Sequence, residues 1–123
     1  MKKISSSEIT KACDALKKSG IVNEGMYKKV FKGYISSFGA SVAQAGLLPT
    51  VIFYENKSDQ AKDRPKVIDA LKQLLDLVNE NSFATYLLTE KKADDKVLLK
   101  RVTDGMASLK LALRMFTEDD KKE

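Results

Sequence analysis

The residue types that could perform chemistry in this chain are few. The 123 residues include no His and a single Cys. Without His there is no Ser-His or Cys-His nucleophile pair, no imidazole general base and no His-ligated metal. One Cys cannot form an internal disulfide or a thiolate zinc site, and it fits a reducing compartment. Catalysis would depend on Lys, Tyr, Asp or Glu alone, so we predict that the protein is not an enzyme.

Metal and cofactor sites are also poorly supported by the sequence. The acidic cluster Asp94-Asp95 is placed where a helix begins, and Glu118-Asp119-Asp120 lies in a charged terminal stretch. The segment Gly46-Leu47-Leu48-Pro49 lacks the spacing and the Lys of a phosphate-binding P-loop. We therefore predict no metal and no cofactor.

Basic residues at helical spacing are the main functional signal. The net charge is +5, and residues 1–34 contain eight Lys against three acids. The candidate nucleic-acid-binding residues lie at the end of the first predicted helix (Lys17, Lys18), on one face of the second (Lys28, Lys29, Lys32) and in a row on the last (Lys96, Lys100, Lys110, Arg114). No acid lies inside the last row on a helical wheel. Such rows can follow a phosphate backbone without reading bases, although a solvated helix face has the same pattern.

Three apolar residues of the last helix lie outside its predicted core face. They are Val97, Leu111 and Met115, on the side away from the main apolar arc. The sequence leaves two interpretations open: burial by the rest of the fold, or an apolar patch that binds a protein partner.

Hydrophobic periodicity predicts the elements that must position these residues. We expect an all-α, single compact bundle of about six helices over residues 1–117, followed by a charged tail over 118–123. Ser5 and Glu8 form a predicted capping box, and Gly20 is placed to end that first helix. A second helix is expected to open at Asn23 or Glu24, and a last one near Asp94-Asp95.

Local propensity alone does not assign the secondary structure in the middle of the chain. The run Thr50–Tyr54 has high strand propensity, but no second comparable run could pair with it. We therefore predict a central helix there, buried on most sides. Residues 56–64 are expected to form a loop in which Asp63 caps a helix with Pro65 in its first turn. A short helix is expected from Phe83 to about Glu90.

Targeting signals are not apparent. The longest apolar run is about ten residues, Ala45 to Tyr54, against the ~20 that a spanning helix requires. Polar residues follow the basic start where a signal peptide needs an apolar stretch. We predict a cytoplasmic protein with no membrane partner.

Two segments of the chain resemble a known family. The first runs from Tyr27-Lys28-Lys29-Val30 through Tyr34, and the second is Gly46-Leu47-Leu48-Pro49 through Phe53-Tyr54. Tyr86-Leu87-Leu88-Thr89 and the amphipathic last helix fit the same layout. The pattern is similar to that of the small, all-helical subunit of the Cmr effector complex, the type III-B CRISPR RNA-silencing assembly.

This resemblance implies a non-catalytic subunit that acts in antiviral defence. Copies would stack as a minor filament beside other Cmr subunits and line the groove where target RNA pairs with guide RNA. In that family RNA cleavage belongs to other subunits. Carried over by position, Lys28, Lys29 and Lys32 would face RNA. Two alternatives remain: a stand-alone helical protein-protein adaptor that uses Val97, Leu111 and Met115, and a small DNA-binding regulator.

Overall fold

Six helices and three short strands make up the part of the chain that the computed structural model describes, residues 3–57 and 62–119. In chain order they are α1 (Ser6–Lys18), β1 (Val22–Asn23), β2 (Met26–Lys28), α2 (Lys29–Ala45), α3 (Leu47–Glu55), α4 (Pro65–Leu74), α5 (Phe83–Thr89), α6 (Lys96–Leu113) and β3 (Thr117–Asp119). The predicted all-α class is confirmed, with a small sheet as an addition.

The first helix begins as its sequence predicts. The backbone N–H of Glu8 donates to Ser5 Oγ at 3.2 Å, and the Ser5 N–H donates to Glu8 Oε1 at 3.2 Å. Two of the amides that a helix start leaves without partners are thereby satisfied. Beyond the other end of α1, Gly20 adopts φ +86°, a conformation that side chains disfavour.

The run with strand propensity is a helix, as predicted, and one of its flanks is exposed. In α3, Val51 and Tyr54 are buried, whereas Ile52 and Phe53 are 50% and 57% exposed. The reason is that α3 packs against α2, α4 and α5 and leaves one flank uncovered.

Residues 22–28 form a β-hairpin, so the prediction that helix two opens at Asn23 or Glu24 is wrong. Val22 pairs with Tyr27 in antiparallel register, and Glu24 and Gly25 at the turn have φ of 54° and 76°. Positive φ at both central residues is what a two-residue type I′ turn requires. The helix α2 starts only at Lys29, after the hairpin.

A long-range pairing joins this hairpin to the other end of the chain. β2 pairs in parallel with β3, with Tyr27 opposite Glu118, and the Thr117 N–H donates to the Gly25 carbonyl at 2.9 Å. Glu118 and Asp119, which the sequence assigned to a tail, therefore lie in a strand. Residues 120–123 of that predicted tail lie outside the described residues.

The core lies where α1, α4 and α6 meet and extends to α2. Leu16, Phe31, Leu71 and Leu109 are among its almost fully buried side chains. Gly105 lets α6 approach α4 closely, because a Cβ at this position would lie 3.2 Å from Leu71 Cδ1. Over the described ranges, no helix combines the length and apolar character needed to cross a bilayer.

Candidate nucleic-acid interface

The three-stranded sheet gathers three helix ends at one end of the molecule. β1 follows α1, β2 leads directly into α2, and β3 follows α6. This end, which we call the basic end, carries most of the predicted binding residues: Lys17 and Lys18 from α1, Lys28, Lys29 and Lys32 from β2 and α2, and Arg114 from the end of α6, together with Lys110. Lys17 Nζ lies 5.8 Å from the centre of the Phe116 ring, which connects the ends of α1 and α6.

A cleft between α2 and α6 lies at this end. Its volume is about 180 Å³, and we call it the α2–α6 cleft. Lys32, Lys110 and Arg114 line it with positive charge, Tyr27, Ile35 and Leu113 form its wall, and Ser36 also lines it. Two rows that the sequence placed on separate helices thus converge on one space.

The cations of the cleft differ in their partners. Among the residues that the structure describes, Lys110 and Arg114 have no carboxylate within ion-pair distance, and both are exposed. Lys32 Nζ lies 4.0 Å from Glu118 Oε1, and the Lys32 side chain is 66% exposed. This loose, solvent-accessible pair leaves Lys32 able to bind a competing anion.

Lys28 forms contacts within the chain that the sequence did not predict. It is the N-cap residue of α2, and its Nζ donates to Asp63 Oδ2 at 3.0 Å. Asp63 Oδ1 accepts from Lys66 Nζ at 3.2 Å. Asp63 was expected to cap α4 as its N-cap residue, but that position is occupied by Arg64, with no side-chain capping bond. The carboxylate instead neutralises two lysines.

This arrangement shifts the titration of Asp63. Desolvation of the largely buried carboxyl favours its neutral form, but hydrogen bonds from Lys28 and Lys66 and the charges of both lysines outweigh that effect. The pKa of Asp63 is therefore lower than its ordinary value. Lys28 is held in an internal ion pair, so its charge is less available to a ligand than that of its neighbour Lys29, which is exposed.

The row predicted along the last helix is divided. Lys96 and Arg114 are 18 positions apart, about 27 Å along a helix axis, so Lys96 lies at the opposite end of α6 from the cleft. Lys100 Nζ lies 3.6 Å from Asp104 Oδ2. An acid therefore lies beside this row and pairs with one of its lysines.

The three apolar residues of α6 are exposed, but they do not form one patch. Val97, Leu111 and Met115 are 73%, 39% and 70% exposed. Val97 is in the first turn of α6, about 21 Å along the axis from Leu111, whereas Met115 follows the helix end. The burial alternative is thus wrong for these side chains.

Sequence reasoning missed another exposed surface, on α3 and α5. Ile52 and Phe53 project from α3, and Leu88 on α5 is 60% exposed. The Arg64 guanidinium carbon lies 3.9 Å from the centre of the Phe53 ring, a stacked cation–π contact. The run Thr50–Tyr54 is strongly apolar, so its sequence does not distinguish the side chains that are exposed from those that are buried.

The comparison with protein families bears directly on this arrangement. The model of the CRISPR-associated protein family Cas_Cmr5 matches residues 7–114, well over half of the chain. The chain belongs to the Cas_Cmr5 family. Searches of curated proteins and of solved structures returned no match.

Membership of the Cas_Cmr5 family confirms the resemblance found in the sequence. It makes the chain a CRISPR-associated Cmr subunit, and it implies that other Cmr subunits are its partners. The matched range extends from α1 through α6 and ends at Arg114, so it includes every cation of the α2–α6 cleft. The strand β3, with Glu118, lies beyond it.

Proposed function

We propose that this Cas_Cmr5 family member is a non-catalytic structural subunit of a type III-B CRISPR RNA-silencing complex in the cytoplasm. In antiviral defence it stacks with further copies as a minor filament and contacts guide or target RNA phosphates through its basic end. The observation that carries the RNA contact is the convergence of cations from α1, α2 and α6 beside one sheet.

The chemistry of this surface supports contact with a polymer backbone. Lysine ammonium and arginine guanidinium groups are donors that neutralise phosphate, and such contacts carry no sequence information by themselves. Lys29, Lys110 and Arg114 are exposed and are not in ion pairs within the described ranges. Since no His is present in the sequence, the usual general base of RNA cleavage by side chains is missing, and we assign cleavage to other subunits.

The test measures the salt dependence of RNA binding. Full-length protein is titrated into a fluorescently labelled single-stranded RNA at several salt concentrations, and log K is plotted against log salt. The slope changes by about 0.7 for each phosphate contact on single strands. We expect the double variant Lys110→Ala, Arg114→Ala to lose about 1.4 from the magnitude of the slope, because two contacts disappear.

A charge-matched control separates site from bulk charge. The double variant Lys91→Ala, Lys96→Ala also removes two positive charges, from exposed residues just before and at the start of α6, the end of that helix opposite to the cleft. It should retain nearly the wild-type slope. Equal slopes for the two double variants would contradict an RNA surface at the basic end.

A protein contact is the second candidate function. Leu111 and Met115 are exposed apolar residues near the end of α6, and Val97 is exposed at its start. In an adaptor, these side chains would bind a protein and no RNA would be required. Purification of the tagged chain from its native host distinguishes the two: an assembly that contains a small RNA supports the first function, and an RNA-free protein complex that is lost on Leu111→Ser, Met115→Ser supports the second.

A further inference from the structure

The α2–α6 cleft has an apolar wall that phosphate contact alone does not require. Tyr27 and Leu113 are buried at 8% and 4% exposure, and Ile35 at 3%, yet all three line the cleft. The cations Lys32, Lys110 and Arg114 come from the helices on its two sides. A flat basic surface would serve a phosphate backbone equally well, so the recess points to a second chemical group in the ligand.

The size of the cleft restricts what it can take. Pockets that enclose a whole small molecule usually measure about 300–1,000 Å³. The cleft, at about 180 Å³, is smaller. It fits one chemical group of a polymeric ligand better than a free metabolite. The surrounding cations favour a polymer that carries negative charge.

We propose that the α2–α6 cleft receives the base of one unpaired RNA nucleotide while Lys32, Lys110 and Arg114 hold the adjoining phosphates. This inference rests on the proposed RNA contact and adds the state of the RNA that is bound. Bases in a duplex are stacked and paired, so a protein recess cannot reach their faces. Bases of single strands can turn outward and pack on aromatic or apolar side chains. The cleft therefore distinguishes unpaired from paired RNA.

An acidic residue beside the cleft adjusts this binding. Glu118 Oε1 lies 4.0 Å from Lys32 Nζ, and its charge repels an incoming phosphate. Glu118 is thus a competitor for the site, and its neutralisation strengthens binding.

The experiment fills the cleft without altering charge. Ser36→Leu places a larger apolar side chain in the recess, and Ser36→Ala is the control that leaves it open. Each full-length variant is titrated with a labelled 12-nucleotide single strand and with the same RNA as a duplex. Wild type and Ser36→Ala should prefer the single strand by at least about fivefold, the size of one base contact. Ser36→Leu should lose that preference while duplex affinity stays unchanged.

A second variant tests the same site without filling it. Glu118→Gln should bind the single strand about two- to fivefold more tightly, the range expected from removing one exposed ion pair. Glu90→Gln, an exposed acid at the end of α5, is its matched control and should have no effect. Circular dichroism verifies the fold of each variant.

The outcomes separate this inference from the proposed function. If all variants bind single strand and duplex alike, with a normal salt slope, then the phosphate contact stands and the base-binding cleft is overturned. If the wild-type chain binds neither RNA, then both proposals fail. Loss of the single-strand preference in Ser36→Leu, with a gain in Glu118→Gln, supports the cleft.

Discussion

At the scale of single residues, the Asp63 carboxylate forms ion pairs with two lysines and so reduces the positive charge near the start of α2. Its side chain is 14% exposed and binds Lys28 from β2 and Lys66 from α4. It therefore fastens the start of α2 to the start of α4 while it neutralises positive charge there. Nearby Lys29 and Lys32 remain exposed on α2.

Asp63 should make stability depend on pH in the acid range. Because its folded pKa is lowered, its contribution is complete above the unfolded value of about 3.9 and is lost as pH falls through the lower folded value. We expect Asp63→Asn to reduce the free energy of unfolding at pH 7 by about 1–3 kcal/mol. It should also flatten the decline in stability below about pH 4.

Urea denaturation followed by circular dichroism from pH 3 to 7 measures both effects. Asp76→Asn is the control, because the Asp76–Lys11 pair is largely exposed, with side chains 78% and 51% accessible. Its removal should cost less than about 1 kcal/mol. A stability curve for Asp63→Asn that runs parallel to the wild-type curve would show that the ion pairs of Asp63 do not cause the loss of stability at acid pH.

At the scale of elements, two helices use glycine in opposite ways. Gly39 in α2 has open space where a Cβ would be, so it is neither a helix break nor a site of tight packing within the chain. Gly105 in α6 faces Leu71, whose side chain is fully buried at 0% exposure and has little room to move. The same substitution should therefore have opposite effects in the two helices.

Gly39→Ala should stabilise the protein by about 0.5–1 kcal/mol, because alanine has the higher helix propensity and meets no neighbour. Gly105→Ala should be destabilising, because the new methyl group would lie 3.2 Å from Leu71 Cδ1 and the cost of this close contact exceeds the gain in helix propensity. Differential scanning calorimetry should show a rise of about 2–5 °C in the first Tm and a fall in the second. A rise of equal size in both variants would contradict the close packing of α6 on α4.

The elements also show how far the sequence alone leads. Local signals predicted the starts of α1 and α6 correctly: Ser5 and Glu8 form their capping box, and Asp95 Oδ1 accepts from the Val97 and Leu98 amides. The same kind of signal cannot reveal contacts between distant segments. Glu55 of α3, for example, accepts from the Phe83 amide at 2.6 Å and so caps α5 from another helix.

The candidate site was predictable only in part, for the same reason. Helical periodicity identified Lys32 and Arg114 as members of basic rows, each on its own helix. Whether the rows meet depends on how α2 packs against α6 and on a sheet whose strands are two or three residues long. No local sequence pattern predicts that residues 26–28 pair with residues 117–119. The cleft, and the ion pair between Lys28 and Asp63, could therefore be identified only from the structure.

At the scale of the whole molecule, the sheet joins the hairpin at residues 22–28 to the strand that follows α6. The Thr117 N–H donates to the Gly25 carbonyl at 2.9 Å, and β3 then runs parallel to β2. This contact keeps the C-terminal end of α6 beside the N-terminal end of α2, which is the geometry of the cleft.

Thr117→Pro should weaken that closure, because proline removes the N–H that donates to Gly25. We expect a loss of about 1–3 kcal/mol in the free energy of unfolding, together with faster hydrogen exchange of the amides in β2. Thr117→Ala keeps the N–H at an exposed position and should differ from wild type by less than about 0.5 kcal/mol. Similar exchange rates in the two variants would indicate that this backbone contact does not hold the sheet together.

The parallel pairing of β2 with β3 also sets an order of events during protein synthesis. Lys32 leaves the ribosome long before Lys110 and Arg114, and the pairing that aligns them needs residues up to Asp119. Contacts so distant in sequence form late, since a long loop must close first. A nascent chain therefore exposes a basic α2 without its recess, and the α2–α6 cleft is complete only when translation has passed β3.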